Sequence, residues 1–166
     1  MRVAVITISD RASRGEYDDL SGPEIEKDIL ARYPSAEVSR TVVPDEPDQI
    51  LAELHARAGV DFILTTGGTG LSPRDVTPEV TQRFCEKEIP GIAEAFRAQS
   101  STETAAAMLS RGYAGMRGST VVVNLPGSPR AVRLCMSVLG PVMEHAVRMM
   151  RAEGHQGGGP SSTSRG

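Results

Sequence analysis

"VDFILTTGGTGLSPRDVTPE", residues 60–79, is the stretch from which the rest of the chain can be read. A β-branched and apolar run ends in Thr65-Thr66, and Gly67, Gly68 and Gly70 follow at once. Thr77-Pro78-Glu79 then carries the marks of a helix start, with proline in the first turn and a carboxylate beside it. Strand, glycine loop and helix in that order form the local unit of an α/β protein with a parallel sheet. Upstream, "RVAVITI" (2–8) reads as a buried strand running into the polar loop "SDRASRGEYDD". "SGPEIEKDILARY" reads as a helix, with Ser21 and Glu24 as a capping box and Ile25, Ile29 and Leu30 on one face. "AEVSRTVVPDE" is a second strand ending at Pro44, and "DQILAELHARAG" a helix closed by Gly59. The β-α-β-α-β order predicts parallel strands with right-handed crossovers.

Downstream, residues 77–100 read as two helical pieces broken at Pro90-Gly91, and "TETAAAMLSR" as a further short helix. A strand is expected around 120–125, with a partner at 112–117 turning at "RGS". A long helix starts near Ser128-Pro129, and Pro141 predicts a kink in it. Residues 1–152 read as one domain, and the Gly/Ser-rich tail 153–166 is expected to be disordered.

The bulk numbers bound the function. The chain has 166 residues, 39% hydrophobic and 23% charged, with no tryptophan, so its core must be aliphatic. A formal net charge of −3 and the absence of a basic run argue against nucleic acid as a partner. No apolar run approaches the ~18 residues of a membrane span. The opening "MRVAVITIS" suits a first strand better than a signal peptide, so a cytoplasmic protein is expected. Cys85 and Cys135 stand far apart in apolar settings and read as buried free thiols. The three histidines show no metal-ligand spacing, and the methionines read as core and helix filler.

Parallel strands bring their carboxyl-end loops to one edge of the sheet, where ligands bind. Those loops hold Ser9-Asp10-Arg11, Asp45-Glu46, Thr66 to Asp75, and Asn124 to Pro129. The glycine loop fits neither common phosphate fingerprint. It has no lysine for a Walker A motif, and Pro73 stands where a dinucleotide motif needs its third glycine. On its own such a loop is as readily a strained turn. It can also bring backbone N–H groups close to a phosphate, with Thr65, Thr66 and Thr69 adding hydroxyls and the following helix start favouring an anion. Without lysine, a polyphosphate there needs another cation, and Asp45 and Asp75 could supply it as bound Mg²⁺. Turn chemistry is the alternative reading for Asp45, and a local Asx turn for Asp75. Pro126-Gly127 forces a tight turn, and Ser128 can cap the last helix. That segment is either a connector or part of the site.

Four segments in order, "TISDRASRG", "VVPDE", "ILTTGGTGLSPRDVTPE" and "MLSRGYAGMRGSTVVVNLPGSPRAV", resemble the molybdopterin adenylyltransferases of molybdenum-cofactor biosynthesis. That family includes bacterial enzymes and the N-terminal G domain of gephyrin, and the likeness runs from about residue 2 to 150. The resemblance implies the family's three-layer α/β/α fold with a mostly parallel sheet, assembled as a homotrimer. It implies transfer of AMP from Mg-ATP to the terminal phosphate of molybdopterin, with release of pyrophosphate. It also implies hand-over of the product to a molybdenum-insertion protein. The family's two essential aspartates match Asp45 and Asp75, as catalytic and metal-binding residues. Thr66, Gly67, Gly68, Thr69 and Gly70 would hold phosphate, joined by Pro126, Gly127 and Ser128. Ser9, Asp10, Ser110 and Arg111 would form walls for the pterin or its phosphate. A pterin-binding paralogue with little activity, and an oligomeric scaffold module, are the alternatives.

Overall fold

The computed structural model describes residues 1–152, so the expectation for the tail, 153–166, lies outside the described residues. Its first half follows the expected alternation, β1 (Arg2–Ile8), α2 (Ser21–Arg32), β2 (Glu37–Val43), α3 (Pro47–Ala56) and β3 (Phe62–Thr66), with one addition: a short α1 (Asp10–Ser13), capped by Ser9, opens the stretch that read as a polar loop. Then come α4 (Thr77–Phe84), β4 (Lys87–Glu88), α5 (Pro90–Ser101), a 3₁₀ turn (Ala105–Leu109), β5 (Ala114–Arg117) and β6 (Thr120–Leu125). The described part closes with α6 (Pro129–Leu139), a 3₁₀ turn (Gly140–Val142) and α7 (Met143–Ala152).

The six strands form one sheet in the order β2-β1-β3-β6-β5-β4. β2, β1, β3 and β6 are parallel, while β5 runs antiparallel to both β6 and β4. The register aligns Val5 with Leu64 and Leu64 with Val123, and one residue earlier Ala4 with Ile63 and Ile63 with Val122. Because side chains alternate across a sheet, these two rows belong to opposite faces. Val3, Val5, Leu64 and Val123 pack with Ile25 and Ile29 of α2, Phe96 of α5, and Val132, Met136 and Leu139 of α6. Ala4, Ile6, Ile63 and Val122 pack with Ile50 and Leu54 of α3 and Val80 and Phe84 of α4. Helices therefore cover both faces, as a three-layer α/β/α fold requires. Ile25 and Ile29 are 0% exposed, and each such burial stabilises by about 1.5–3 kcal/mol.

Several local expectations change. The Ser21–Glu24 capping box does not form. Asp19 takes its place, accepting from Gly22 N at 2.9 Å and from Thr7 Oγ1 at 2.8 Å. Glu24 turns instead to Arg133, 3.5 Å away. Leu30 is 39% exposed and does not share the buried face of Ile25 and Ile29. The break between helices lies at residues 85–89 rather than at Pro90-Gly91, because a proline without an N–H suits the first turn of α5. The stretch after Thr104 winds as a 3₁₀ turn, capped by the Thr104 hydroxyl. Cys135 is buried and Cys85 half-buried, and both are free thiols. Met136 and Met143 fill the core, whereas Met108 and Met149 are exposed. Ser128 caps α6 as expected, and the kink at Pro141 is the 3₁₀ turn before α7.

The topology places the site. α2, in the connection from β1 to β2, packs on one face of the sheet, and α4, after β3, on the other. β1 and β3 are neighbours, so a crevice opens between their carboxyl ends, at the switch point where α/β sheets bind ligands.

Candidate active site

The glycine loop fills that crevice. Gly67 and Gly68 have φ of +100° and +65°, a region other residues rarely adopt. A Cβ on Gly67 would strike the Ile8 carbonyl oxygen at the end of β1, and one on Gly68 would strike Thr77 Oγ1. The loop thus crosses the end of β1 and returns to the start of α4, where Thr77 N donates to Gly68 O at 3.2 Å. Arg111 ties down its far half. Its backbone N–H bonds to Thr69 O, its Nε to Gly70 O at 2.7 Å, and its Nη2 to Asp75 O at 2.5 Å; Nη1 pairs with Glu79. Arg111 therefore braces the loop rather than facing the cavity as a wall.

Both aspartates point at the loop. An Asp45 oxygen lies 3.3 Å from where a Gly68 Cβ would stand, and an Asp75 oxygen 2.8 Å from the corresponding point on Gly70. Asp75 Oδ2 also accepts from Ser72 N at 2.9 Å, so the local turn foreseen for it is present as well. Asp45 exchanges two hydrogen bonds with Asp10: Asp10 N donates to Asp45 Oδ2 at 2.8 Å and Asp45 N to Asp10 Oδ1 at 3.0 Å. Arg74 spans the outer rim, bidentate on Asp10 and 2.8 Å from Glu46.

These contacts split the carboxyls. Burial pushes the Asp45 carboxyl above its ordinary value, and the charges of Asp10 and Asp75 push the same way, against the Asp10 N–H and Arg74. Burial acts upward on Asp10 too, but the Asp45 N–H and Arg74 outweigh it and hold Asp10 below the usual carboxylate range.

The remaining residues from the sequence divide into framework and lining. Ser9 Oγ caps α1 through Ala12 N, and Thr66 Oγ1 donates to Pro126 O at 2.7 Å, pinning the turn after β6 to the end of β3. Gly127 packs against Gly67, 3.4 Å from its Cα to the point where a Gly127 Cβ would stand. Ser128 is engaged in capping α6. Thr69, Gly70, Ser110 and Pro126 line a cavity of about 410 Å³ that runs toward α5 and α6. Ser9, Thr66, Gly67 and Gly127 line a second cavity of about 140 Å³, with Thr7 and Asp19. The two cavities meet the glycine loop from opposite ends.

Sequence reasoning missed three features here. Thr77 Oγ1 is fully buried and has no hydrogen-bond partner. Asp19 closes the smaller cavity, and its position three residues before Gly22 is the signal of an acidic cap. Arg97 lies in the larger cavity, at a core-facing position of α5 beside Phe96.

A divalent cation suits this chemistry. Among the described residues no three His, Cys, Asp or Glu side chains converge as a metal cage. Mg²⁺ is instead commonly held by one or two carboxylates plus substrate phosphates, and Asp45 and Asp75, both close to the glycine loop, could supply those carboxylates. Both carboxylates stand close against the loop, Asp45 at Gly68 and Asp75 at Gly70, with the unpartnered Thr77 hydroxyl buried behind Gly68.

The profile of the family described as "Probable molybdopterin binding domain" matches residues 4–145. A molybdopterin adenylyltransferase of Helicobacter pylori (strain J99) is 37% identical over 155 residues, spanning 90% of this chain and 88% of that protein. The molybdenum cofactor synthesis protein cinnamon of Drosophila melanogaster is 41% identical over 149 residues, covering 88% of this chain but only 25% of that longer protein. The solved structure of the molybdopterin biosynthesis enzyme MoaB from Thermus thermophilus superposes with a TM-score of 0.82 at 43% identity, over 91% of this chain and 96% of that one. Sequence, fold and the glycine crevice agree, and the chain belongs to the molybdopterin-binding domain family of molybdenum-cofactor biosynthesis.

Proposed function

We propose that the chain is a molybdopterin adenylyltransferase, which moves AMP from Mg-ATP onto the terminal phosphate of molybdopterin and releases pyrophosphate. The observation that carries this reading is the meeting of two cavities at one lysine-free glycine loop flanked by Asp45 and Asp75. Transfer between two bound substrates needs both held around one reacting phosphorus. The cavity of about 410 Å³ suits the bulky pterin, which leaves the cavity of about 140 Å³ on the nucleotide side.

In the reaction a phosphate oxygen of molybdopterin bonds to the α-phosphorus of ATP, and the bond from that phosphorus to pyrophosphate breaks. The attacking oxygen is already anionic at neutral pH, so the site needs no strong general base. The work falls to positioning and charge neutralisation. The backbone N–H groups of the loop, the start of α4 and the Thr77 hydroxyl donate to phosphate oxygens. Arg111 holds the loop in shape, and the Thr66–Pro126 bond fixes the turn beside it. Mg²⁺ bound by Asp45 and Asp75 would neutralise charge at the α-phosphate and on the leaving pyrophosphate. Residues 1–152 act as one catalytic domain in this reading. A homotrimer, a cytoplasmic location and hand-over to a molybdenum-insertion protein follow from the family resemblance.

Incubating the protein with molybdopterin, ATP and Mg²⁺ should yield adenylylated molybdopterin and one pyrophosphate per product. Pterin binding without turnover would make the chain an inactive paralogue. Binding of neither substrate would leave a scaffold role.

A further inference from the structure

Asp45 and Asp75 stand on separate loops, and one side chain bridges them. The loop after β3 is fastened along much of its length to its own side of the crevice. Gly67 N donates to Leu125 O, Thr77 N to Gly68 O, and Arg111 grips the carbonyls of Thr69, Gly70 and Asp75. The turn after β2 is fastened on the opposite side, where Asp45 exchanges two hydrogen bonds with Asp10 at the end of β1. Among the described residues, every hydrogen bond between the loop 67–76 and the ends of β1 and β2 comes from Arg74.

The position of Arg74 gives those bonds their meaning. It is the chain neighbour of Asp75. Its guanidinium reaches Glu46, the chain neighbour of Asp45, at 2.8 Å. It also grips both oxygens of Asp10, the hydrogen-bond partner of Asp45, through Nε at 3.1 Å and Nη2 at 3.0 and 2.8 Å. A planar fork of N–H donors can serve two carboxylates at once in a fixed geometry, which a lysine ammonium cannot. The charges of Asp10 and Asp75 act against an ionised Asp45, so the acidic loops repel one another across the crevice. Arg74 offsets that repulsion and ties the loops together. An isolated exposed ion pair contributes little, but a bidentate grip within a network of charges contributes more.

We propose that Arg74 is a positioning residue, which clamps the Asp75 loop to the Asp45 turn so that the two carboxylates face one cation. The clamp is present in the free protein and needs no ligand. Its purpose rests on the adenylyl-transfer reading of the site.

Two measurements on Arg74→Met, Arg74→Lys, Asp10→Asn and the double variant Arg74→Met/Asp10→Asn test it. The first is amide hydrogen exchange of the free protein, with neither metal nor nucleotide present. Arg74→Met should speed exchange at the Asp10, Asp45 and Asp75 amides about three- to tenfold, with the strand amides of β1 and β3 and the melting temperature unchanged. Arg74→Lys, which keeps the charge without the fork, should restore part of the protection. The second is titration of Mg²⁺ in the presence of a non-hydrolysable ATP analogue. Arg74→Met and Asp10→Asn should each weaken Mg²⁺ binding about three- to tenfold, and the double variant should lose little more than the larger single loss, because both break one tie. Unchanged exchange in Arg74→Met would overturn the clamp. So would losses that add fully in the double variant, since Arg74 would then act by another route, on the phosphates themselves. If the wild-type protein takes up no Mg²⁺ with the analogue, the adenylyl-transfer reading falls, and the exchange rates still decide whether Arg74 joins the two loops.

Discussion

The two aspartates reach the crevice from loops of opposite design. Asp45 sits in a turn of three residues between β2 and α3, whereas Asp75 stands next to last in a loop of ten residues between β3 and α4. In the short turn the fold imposes the environment. The β1–α1 junction delivers Asp10 against Asp45, and burial with two neighbouring carboxylates raises its carboxyl. In the long loop the environment is local. Asp75 takes the Ser72 N–H, and Arg111 fastens the Gly70 and Asp75 carbonyls. One carboxylate is thus held at an electrostatic cost and the other at a cost in chain order.

The largest effects should come from removing either charge. Asp75→Asn and Asp45→Asn should each lower kcat by about 10²–10³-fold, the scale of losing one electrostatic stabiliser. Near-wild-type turnover in either would remove that residue from the metal site. The same pair should then diverge in stability. The Asp45 pKa is raised in the fold, so its contribution is most favourable below the ordinary aspartate value of ~3.9 and is lost as pH rises through the folded value. At pH 7 Asp45→Asn should therefore raise the melting temperature, with the gain vanishing at acid pH, since asparagine can still accept from Asp10 N. Asp75→Asn should leave it nearly unchanged, because the amide oxygen can still accept from Ser72 N. Thermal melts at pH 7 and pH 3 check both statements.

Loosening the long loop should cost less. Arg111→Met removes the ties to Gly70, Asp75 and Glu79, and should lower kcat about tenfold through misplacement of the loop. An unchanged rate would mean that the loop holds its own shape. The smallest expected change is in the stability of Thr77→Val. It removes a buried hydroxyl that has no partner, so the fold should be as stable or gain about 1 kcal/mol in chemical denaturation. A clear loss of stability would reveal a bond to that hydroxyl in the free protein.

The central strands were legible because β1, β3 and β6 are runs of β-branched and apolar residues, buried on both faces. β4 was not, since Lys87-Glu88 is a two-residue exposed edge strand whose pairing depends on Met116 and Gly115. The crevice could be read from loop polarity, because parallel strands bring their carboxyl ends together. Which side chain does what inside it was less readable. Arg111 braces the loop through contacts 32 or more residues away in the chain, which no local pattern announces. Asp19 caps α2 from two residues before the helix begins, where Ser21 looked the better cap. The place of Arg97 in the larger cavity was hidden because a helix pattern alone does not tell which apolar wall opens into a cavity.

The role proposed for Asp45 and Asp75, holding a cation at a lysine-free glycine loop, is tested most directly by titrating Mg²⁺ into the protein with a non-hydrolysable ATP analogue, by calorimetry. The wild-type protein should bind one Mg²⁺ more tightly than the analogue alone does, and Asp45→Asn and Asp75→Asn should each weaken that binding at least about tenfold. Equal Mg²⁺ affinity in all three proteins would contradict the account.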